Sequence, residues 1–311
     1  ELEYDLLVGA DGFNSAVRNK LLGAGFLESQ VVLSASGPET SRYKVVHGLD
    51  KQEYGKLAAQ PSHADAQGTR ISMTRQAFGF VRFSFWPRID GTFSAMVIAK
   101  ELDFEPESFA AKLHEDAAAL PQTWRESIIK QCSETEASKF GAIVKNSSFA
   151  GPGVVLVGDA AHSVTSTLGQ GCCLGLSGMK ALAAAVDSAT DVANIPLVYN
   201  KAWVPNAHAL QRMEYQTVLS IRPGVLGAFW KLMGLLSVIG GTLLQYVAPQ
   251  RVPKPLFFYW LGEPGLSYRQ ALTTYWGAVA LGSGVLVAAA WVLNLVVLNT
   301  KAAAKTALFG A

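Results

Sequence analysis

Two aspartates in this chain stand where a bound ligand could be held. Asp11 comes shortly after the apolar residues 6–8, and Asp159 comes shortly after the apolar β-formers 154–157. Apolar runs of this kind suit buried strands of an α/β sheet, and open sheets of that class bind ligands beyond the carboxyl ends of their strands. A carboxylate at such an end accepts hydrogen bonds from ligand hydroxyl groups. The pattern therefore predicts a crevice for a large polyol or anionic ligand.

A glycine-rich loop follows Asp159 and favours the same interpretation. Gly169, Gln170 and Gly171 let the backbone approach a ligand closely, and residues 174–189, which are rich in alanine and leucine, predict a helix. The free N–H groups of its first turn would face the crevice and favour negative charge. The alternative is an ordinary strand, loop and helix with a capping aspartate, because glycine-rich loops are common.

The two aspartates belong to longer motifs that occur in a fixed order. Residues 9–18 read Gly-Ala-Asp-Gly-x-x-Ser-x-Val-Arg, and about 140 residues later come Gly-Asp-Ala-Ala-His at 158–162 and Gly-Gln-Gly at 169–171. This ordered pair resembles the flavin motifs of single-component FAD-dependent aromatic monooxygenases. The resemblance implies that FAD is the cofactor, that NADPH or NADH is the electron donor, and that one atom of oxygen is transferred to an aromatic ring.

Carried over by position, the resemblance implies which residues contact the cofactor. The first motif would serve the FAD pyrophosphate and the nicotinamide donor, Asp159 would hold the ribityl chain, and residues 169–171 would line the flavin ring. His162 is expected to fix the geometry of the loop rather than to transfer a proton. No catalytic residue and no metal ligand is predicted. The predicted cofactor-binding residues are Asp11, Gly12, Arg18, Gly158, Asp159, His162, Gly169, Gln170 and Gly171.

Within that family the resemblance is greatest to the kynurenine 3-monooxygenase branch. The chain has His47-Gly48, Trp86-Pro87-Arg88 and Pro205-x-x-His208-Ala209, and a helix is expected from Pro205 to Arg222. These stretches are similar to stretches of that branch in the same order. The likeness runs from about residue 4 to about residue 275.

Several positions depart from the family pattern. Ser166 stands where the family has a proline, Cys173 where it has an asparagine, and Ser177-Gly178 where it has an acidic pair. The sequence opens at Glu1 without a Gly-x-Gly-x-x-Gly segment, so we expect either a fragment or a chain that has lost half of its cofactor site. Two hypotheses follow: a membrane-anchored FAD-dependent monooxygenase, or a catalytically inactive structural or accessory subunit of a membrane protein complex.

The composition excludes some classes of partner and favours another. A net charge of +2 argues against a strongly charged partner, and no basic patch interleaved with aromatics is present, so nucleic acid is not expected as a partner. Cys132, Cys172 and Cys173 have neither metal-ligand spacing nor a disulfide pattern. The 50% hydrophobic content beside only 16% charged residues is high for a soluble domain, which indicates that part of the chain lies in a membrane.

One segment has the length of a membrane span. Residues 277–298 carry no charge and would extend about 33 Å as a helix. Within it, Gly282-Ser283-Gly284 would permit close approach of a neighbouring helix. Residues 224–248 are expected to lie against the bilayer or cap the substrate pocket. Membrane lipid, and other membrane-protein subunits through the C-terminal helix, are the expected partners; an organelle membrane is expected, with mitochondrion and plastid both open.

Together these patterns predict an α/β fold made of an incomplete FAD-binding Rossmann-like unit, a β-rich substrate layer, a C-terminal helical region and a transmembrane helix. The β-rich layer should contain strands at 71–75, 77–86 and 92–100, a turn at Asp90-Gly91, and then helices that start near Pro106 and Pro121. The predicted boundaries are 1–35 and 151–195 for the FAD-binding parts, 36–150 for the substrate domain, 196–274 for the helical region, 275–300 for the transmembrane helix and 301–311 for the tail.

Overall fold

The structure is a computed structural model, and it describes residues 3–33, 41–53, 74–139, 141–221, 224–249, 261 and 265–309. The chain forms two compact units. One, here the split unit, is made of Glu1–Leu33 and Ala142–Ala311; the other, here the inserted unit, is Ser34–Gly141. Each unit has its own hydrophobic core.

The split unit contains two small sheets. The first has the order β1-β10-β9, in which β1 (Leu7–Gly9) runs parallel to β10 (Val154–Leu156), with Leu7 opposite Val154, and β9 (Ala150–Gly151) is antiparallel to β10. The second pairs β2 (Ser29–Leu33) with β8 (Ile143–Asn146) in antiparallel register. The parallel pair joins two segments that are far apart in sequence, so it sets the geometry of both motifs.

Helices cover these sheets and make up most of the split unit. Their bounds are α1 (Ala16–Gly23), α4 (Asp159–His162), α5 (Gly171–Ser188), α6 (Ile195–Ile221), α7 (Val225–Val247) and α8 (Tyr268–Phe309). The core lies between β10 and the helices α5 and α6, where Val155, Leu174, Tyr199 and Leu210 are fully buried. The expected helix from Pro205 to Arg222 in fact begins ten residues earlier, so Pro205 lies inside it, and Arg222 lies outside the described residues.

The described residues of the inserted unit include an antiparallel sheet and two longer α-helices that pack on it. The strand order is β4-β5-β6-β3-β7, and the helices are α2 (Pro106–Asp116) and α3 (Gln122–Glu134). Trp124 of α3 packs against Phe85 and Phe93 of the sheet, with ring centroids 5.3 and 6.1 Å away. The strands are β3 (Ser41–Asp50), β4 (Thr74–Phe78), β5 (Val81–Pro87), β6 (Thr92–Lys100) and β7 (Ser138–Lys139).

The sequence predicted several of this unit's elements, with one error, and did not predict β3 or β7. The strand at 92–100, the Asp90-Gly91 turn and the helix starts at Pro106 and Pro121 are confirmed. The single strand predicted at 77–86 is wrong, because a turn at Gly79 and Phe80 separates β4 from β5. Gly79 has a φ of +46°, which glycine adopts without strain, and the flanking aromatics concealed the turn. Residues 71–73 lie outside the described residues.

Among the described residues of the split unit, two helices are long and apolar enough to cross a membrane, by length and composition alone. They are Val225–Val247, with a mean hydropathy of 1.5, and Tyr268–Asn294 of α8, with a mean hydropathy of 1.9. The two helices pack closely: an added Cβ at Gly240 would overlap the Ala278 carbonyl, and one at Gly282 would overlap the Leu236 carbonyl. The predicted close approach is thus confirmed at Gly282, whereas a Cβ added at Gly284 would meet no atom of the described residues within 4 Å.

Candidate functional site

The parallel pairing of β1 and β10 brings the two sequence motifs together. β1 ends at Gly9 and β10 ends at Leu156, and these two residues are register partners. Because the strands are parallel neighbours, Asp11 and Asp159 both follow the same edge of the sheet. This is the edge at which open α/β sheets bind ligands.

The Asp11 side chain stabilises the start of α1. Its carboxylate accepts hydrogen bonds from the backbone N–H groups of Ala16, at 2.7 Å, and Val17, at 3.2 Å. A hydrogen bond from the Ser15 side chain lowers the pKa of Asp11 below its usual range, and these backbone bonds add to the effect. Gly12 adopts a φ of +76° in the turn between them. The first motif is therefore held in shape by its own side chains.

Arg18 joins the first motif to the second. Its guanidinium donates to the carbonyl oxygen of Phe13 at 2.6 Å, and to those of Ala160 at 3.2 Å and Asp159 at 3.5 Å. The side chain is only 8% exposed, and this burial lowers its pKa while leaving it charged. The structure thus places Arg18 as the link that fixes the turn after β10, and a contact with the cofactor stays a prediction.

Asp159 presents a carboxylate at the same edge without a protein partner among the described residues. Gly158 precedes it with a φ of +59°, a conformation that turns the chain sharply from β10 into α4. The side chain of Asp159 reaches solvent, and desolvation by the surrounding protein raises its pKa. A carboxylate with no hydrogen-bond partner of its own is suited to accept hydrogen bonds from ligand hydroxyls.

His162 lies in the core and not at the surface of the loop. It is 1% exposed, its Nε2 accepts a hydrogen bond from the Trp203 indole N–H at 2.9 Å, and its ring meets Phe149 edge-on. Burial lowers the pKa of His162 to about 4, so the ring is neutral at physiological pH. This placement agrees with a role in loop geometry; a direct contact with the cofactor stays a prediction.

The glycine loop leads into the N-terminus of α5. Gly169 has a φ of +65° and nothing within 4 Å of where a Cβ would stand, and no side chain caps the helix at Gln170. Gln170 instead accepts a hydrogen bond from the Tyr268 hydroxyl at 3.3 Å. The N–H groups at the start of this 18-residue helix, which no side chain caps, suit the flavin ring when it is reduced and negatively charged, and the carboxylate of Asp159 suits the hydroxylated chain.

Buried polar side chains that the sequence analysis did not single out support the loop from behind. Gln211 of α6 donates to the carbonyls of Val144 and Ser163, and Asn146 of β8 donates to those of Ala160 and Ala161. Both side chains are at most 3% exposed. The signal that could have found Gln211 is a polar residue on the apolar face of a predicted helix.

Glu214 is the most unusual member of this supporting group. It is fully buried on α6, and one carboxylate oxygen accepts hydrogen bonds from the Thr165 hydroxyl and, at 3.1 Å, from the Thr167 N–H. Its other oxygen has no partner among the described residues. Burial raises the pKa of Glu214 to about 7. A group that titrates near neutral pH therefore lies directly behind the glycine loop.

The three departures from the family pattern have different structural settings. Gly178 is buried on α5, where a Cβ would come within 2.8 Å of the Trp203 indole nitrogen. The lack of a side chain there makes room for the hydrogen bond between Trp203 and His162. Ser166 and Cys173 are both exposed, on the loop and on the first turn of α5.

Comparison with known proteins identifies the family. The profile described as FAD binding domain matches residues 1–189, which is more than half of the chain. The chain therefore belongs to this FAD-binding family, that of the FAD-dependent aromatic monooxygenases, and its fold combines helices and sheets as in that family.

Particular relatives are similar to the chain at low identity. Kynurenine 3-monooxygenase of Chaetomium globosum is 23% identical over 262 residues, which are 76% of this chain and 52% of the relative. The chain thus spans about half the length of the curated relative that it matches. Among solved structures, tetrameric 2-methyl-3-hydroxypyridine-5-carboxylic acid oxygenase is 17% identical with a TM-score of 0.47, covering 68% of this chain and 53% of that one. A Klebsiella pneumoniae HpxO variant complexed with FAD is 20% identical with a TM-score of 0.46, covering 68% and 51%.

Proposed function

We propose that this chain is part of a membrane-anchored FAD-dependent monooxygenase, a hydroxylase that resembles kynurenine 3-monooxygenase. The observation that carries the proposal is the link made by Arg18, whose guanidinium donates to the carbonyls of Asp159 and Ala160. A buried arginine that spans the two motifs holds the free carboxylate of Asp159 at the sheet edge where a ligand binds.

The residues at this edge would each contact a different part of the flavin. Asp159 would accept hydrogen bonds from the ribityl hydroxyls, and the glycine loop would leave room for the ring. The N-terminus of α5 would stabilise negative charge on the reduced ring, because no side chain neutralises that end of the helix. When bound, the flavin supplies the transfer of electrons and the activation of oxygen; the protein supplies position and a site with restricted water.

The electron donor and the substrate belong to the same proposal. NADPH or NADH would reduce the flavin, as the resemblance implies, and the acceptor of the oxygen atom would be an aromatic compound. The sheet of the inserted unit would form the substrate layer. Its partly exposed aromatic Trp86 is placed on β5, which carries two further aromatic residues.

Membrane anchoring is proposed for α7 and α8. Both helices expose large apolar side chains, among them Leu226 and Phe229 on α7 and Val287 and Trp291 on α8. Surface of this kind is costly in water and favourable in lipid. The glycine contact between the helices is typical of helix pairs in membranes, where small residues allow backbones to approach.

The second candidate is a catalytically inactive subunit of a membrane protein complex. What favours it is the pair of altered flavin-loop positions, Ser166 and Cys173, together with the apolar surface of α8, which other membrane subunits could cover. In that case the fold and the helix pair would serve assembly, and flavin would be bound weakly or not at all.

A flavin titration of the purified chain in neutral detergent separates the two candidates. If the chain is an enzyme of this kind, it should bind FAD, which is measured as quenching of the flavin fluorescence. Addition of NADPH in the absence of oxygen should then bleach the absorption bands of the bound flavin. Asp159→Ala should weaken FAD binding about ten-fold or more, because charge-assisted hydrogen bonds to the ribityl chain are lost. The matched control Asp187→Ala removes an exposed carboxylate at the far end of α5 and should change nothing.

The opposite results are equally informative. A chain that takes up no FAD at any concentration supports the subunit proposal. Equal FAD affinity in the wild type and in Asp159→Ala would remove Asp159 from the flavin site. Binding of FAD without reduction by NADPH or NADH would leave a flavin-binding protein that is not this kind of monooxygenase.

A further inference from the structure

An open cavity of about 590 Å³ lies along one face of α6, beside β8 and the first turns of α8. All the residues that line it belong to the split unit. Its apolar walls come from Val32, Ile143 and Leu272. It is separate from the glycine loop and from Asp159, neither of which lines it.

The polar side of this cavity is positively charged. Lys145 of β8, Arg212 of α6 and Arg269 of α8 line it, and all three are exposed. Among the described residues, no aspartate or glutamate lines the cavity and none forms an ion pair with these cations. Three cations left without a carboxylate at one concave site favour an anionic ligand.

His208 adds a neutral polar group to the same wall. Its Nε2 donates to the carbonyl oxygen of Asn146 at 2.9 Å. Desolvation lowers the pKa of His208 below its ordinary value of 6.5, and the charge of Lys145 adds to this against the opposing hydrogen bond to Asn146, so the ring is mainly uncharged at pH 7. The positive charge of the cavity therefore comes from the lysine and the two arginines.

The cavity opens at the base of an apolar helix. Arg269, Leu272 and Thr273 line it from the first turns of α8, and spacings of three and four residues place Trp276 and Ala280 on the same helix face. Arg212 lies over the Trp276 ring, 5.9 Å from its centroid. This face of α8 thus leads from Arg269 through the aromatic ring of Trp276 to apolar residues, an order that complements an anionic headgroup followed by acyl chains.

We propose that this cavity binds the phosphate headgroup of an anionic phospholipid, with the acyl chains along α8. The proposal rests on the membrane association of α7 and α8 proposed above. Lys145, Arg212 and Arg269 would contact the phosphate, and the apolar walls would contact the glycerol and the first methylene groups. Arginine and lysine supply several donors to phosphate oxygens, whereas a zwitterionic headgroup brings its own cation and gains less.

The test uses the full 311-residue chain in neutral detergent micelles that contain either phosphatidylglycerol or phosphatidylcholine. Bound lipid is counted by native mass spectrometry, and the thermal midpoint is followed as lipid is added. The pocket variant carries Lys145→Gln, Arg212→Gln and Arg269→Gln. The charge-matched control carries Lys20→Gln, Lys180→Gln and Lys201→Gln, which removes three exposed cations of the same unit away from the cavity.

We expect the wild type and the control to prefer phosphatidylglycerol, and the pocket variant to bind it about ten-fold or more weakly. The charge-conserving variant Arg212→Lys with Arg269→Lys should keep most of the preference. Equal binding of both lipids by the wild type, or equal loss in the pocket variant and the control, would overturn the proposal. Displacement of the lipid by an equal concentration of glycerol 3-phosphate would assign the cavity to a soluble phosphate compound and would overturn the lipid assignment.

Two further measurements distinguish a failure of the cavity proposal from misfolding of the variant and from failure of the membrane anchoring. The unfolding midpoint of the pocket variant in lipid-free micelles should lie close to that of the wild type, because the changed side chains are exposed and only the contact of Arg212 with the Trp276 ring is lost. If the midpoint falls further, the single variant Arg269→Gln replaces the pocket variant. Flotation with purely zwitterionic vesicles measures membrane association when no anionic lipid is present for the cavity to bind. A chain that floats but shows no preference for phosphatidylglycerol refutes the cavity proposal alone, and a chain that never floats refutes the anchoring.

Discussion

At the scale of single residues, Gly178 shows how a departure from a family pattern can be a packing requirement. In sequence it weakens a helix, because glycine in a helix interior costs about 1 kcal/mol relative to alanine. In the structure the Trp203 indole lies against the α5 backbone at this position and donates to buried His162. The glycine therefore supports the hydrogen bond that orients the histidine behind the glycine loop.

Replacing Gly178 by alanine should destabilise the split unit. The new Cβ would lie 2.8 Å from the Trp203 indole nitrogen and 3.4 Å from the His162 Nε2, so the pair must move apart. We expect a loss of about 1–3 kcal/mol in the free energy of unfolding, measured by urea denaturation in neutral detergent. Gly175→Ala on the same helix is the control, since its Cβ would meet only an ordinary contact at 3.8 Å. An equal effect of both substitutions would refute the role of packing.

Glu214 gives the split unit a dependence on pH that can be measured. Its pKa is raised from the ordinary 4.5 to about 7, so the folded state binds more protons than the unfolded state between these values. The stability that it contributes is fully present below about pH 4.5 and is lost as the pH rises through about 7. The full difference is about 3 kcal/mol.

His162 changes the free energy of unfolding with pH in the opposite direction to Glu214. A variant that lacks one of the two groups is therefore needed to measure the effect of the other. Its pKa is lowered from 6.5 to about 4, so its contribution is present above 6.5 and is lost as the pH falls through about 4. Between about pH 4.5 and 6.5 the two slopes oppose each other. Glu214→Gln removes the slope of Glu214 alone, so the free energy of unfolding of this variant should rise more steeply with pH over this window than that of the wild type. The exposed Glu28→Gln is the control, and the prediction fails if both variants follow the wild-type profile.

At the scale of elements, the contact between α7 and α8 depends on two glycines. A Cβ at Gly240 would overlap the Ala278 carbonyl, and a Cβ at Gly282 would overlap the Leu236 carbonyl. We expect Gly240→Ala and Gly282→Ala each to lower the thermal midpoint in neutral detergent, by the equivalent of about 1–3 kcal/mol. Gly284→Ala, two residues from Gly282 with nothing within 4 Å, should leave it unchanged or raise it. A helix pair that tolerates all three would not be packed in this way.

The elements that could be predicted from sequence are those with a local signal. The turn at Asp90-Gly91 marked the start of β6, and a proline at the first helical position marked the start of α2. The turn between β4 and β5 was not predicted, because the apolar residues of the two strands continue through it. The predicted start of α6 at Pro205 was wrong. Proline is common at the first position of a helix, whereas here Pro205 lies in the helix interior.

The candidate site divides in the same way. The motif residues could be read from their spacing, but the supporting side chains could not, because their partners are distant in sequence. Arg18 contacts carbonyls 141 and 142 positions away, and Gln211 of α6 contacts carbonyls 48 and 67 positions away. A side chain's hydrogen bonds to remote backbone follow from the fold and leave no local pattern.

At the scale of the whole molecule, anchoring depends on whether the apolar surface of α8 meets lipid. Val287 is 71% exposed near the middle of the uncharged segment 277–298, so the described protein leaves most of it uncovered. An arginine at the centre of a membrane helix costs about 2.5–3.5 kcal/mol, whereas an arginine on a water-exposed surface costs little. Val287→Arg should therefore reduce flotation of the chain with zwitterionic vesicles on a density gradient. Leu197→Arg, at a position 69% exposed on α6, should float like the wild type. If Val287→Arg floats as well as the wild type, α8 is not held in the bilayer at this depth, and the apolar face is left for a protein partner.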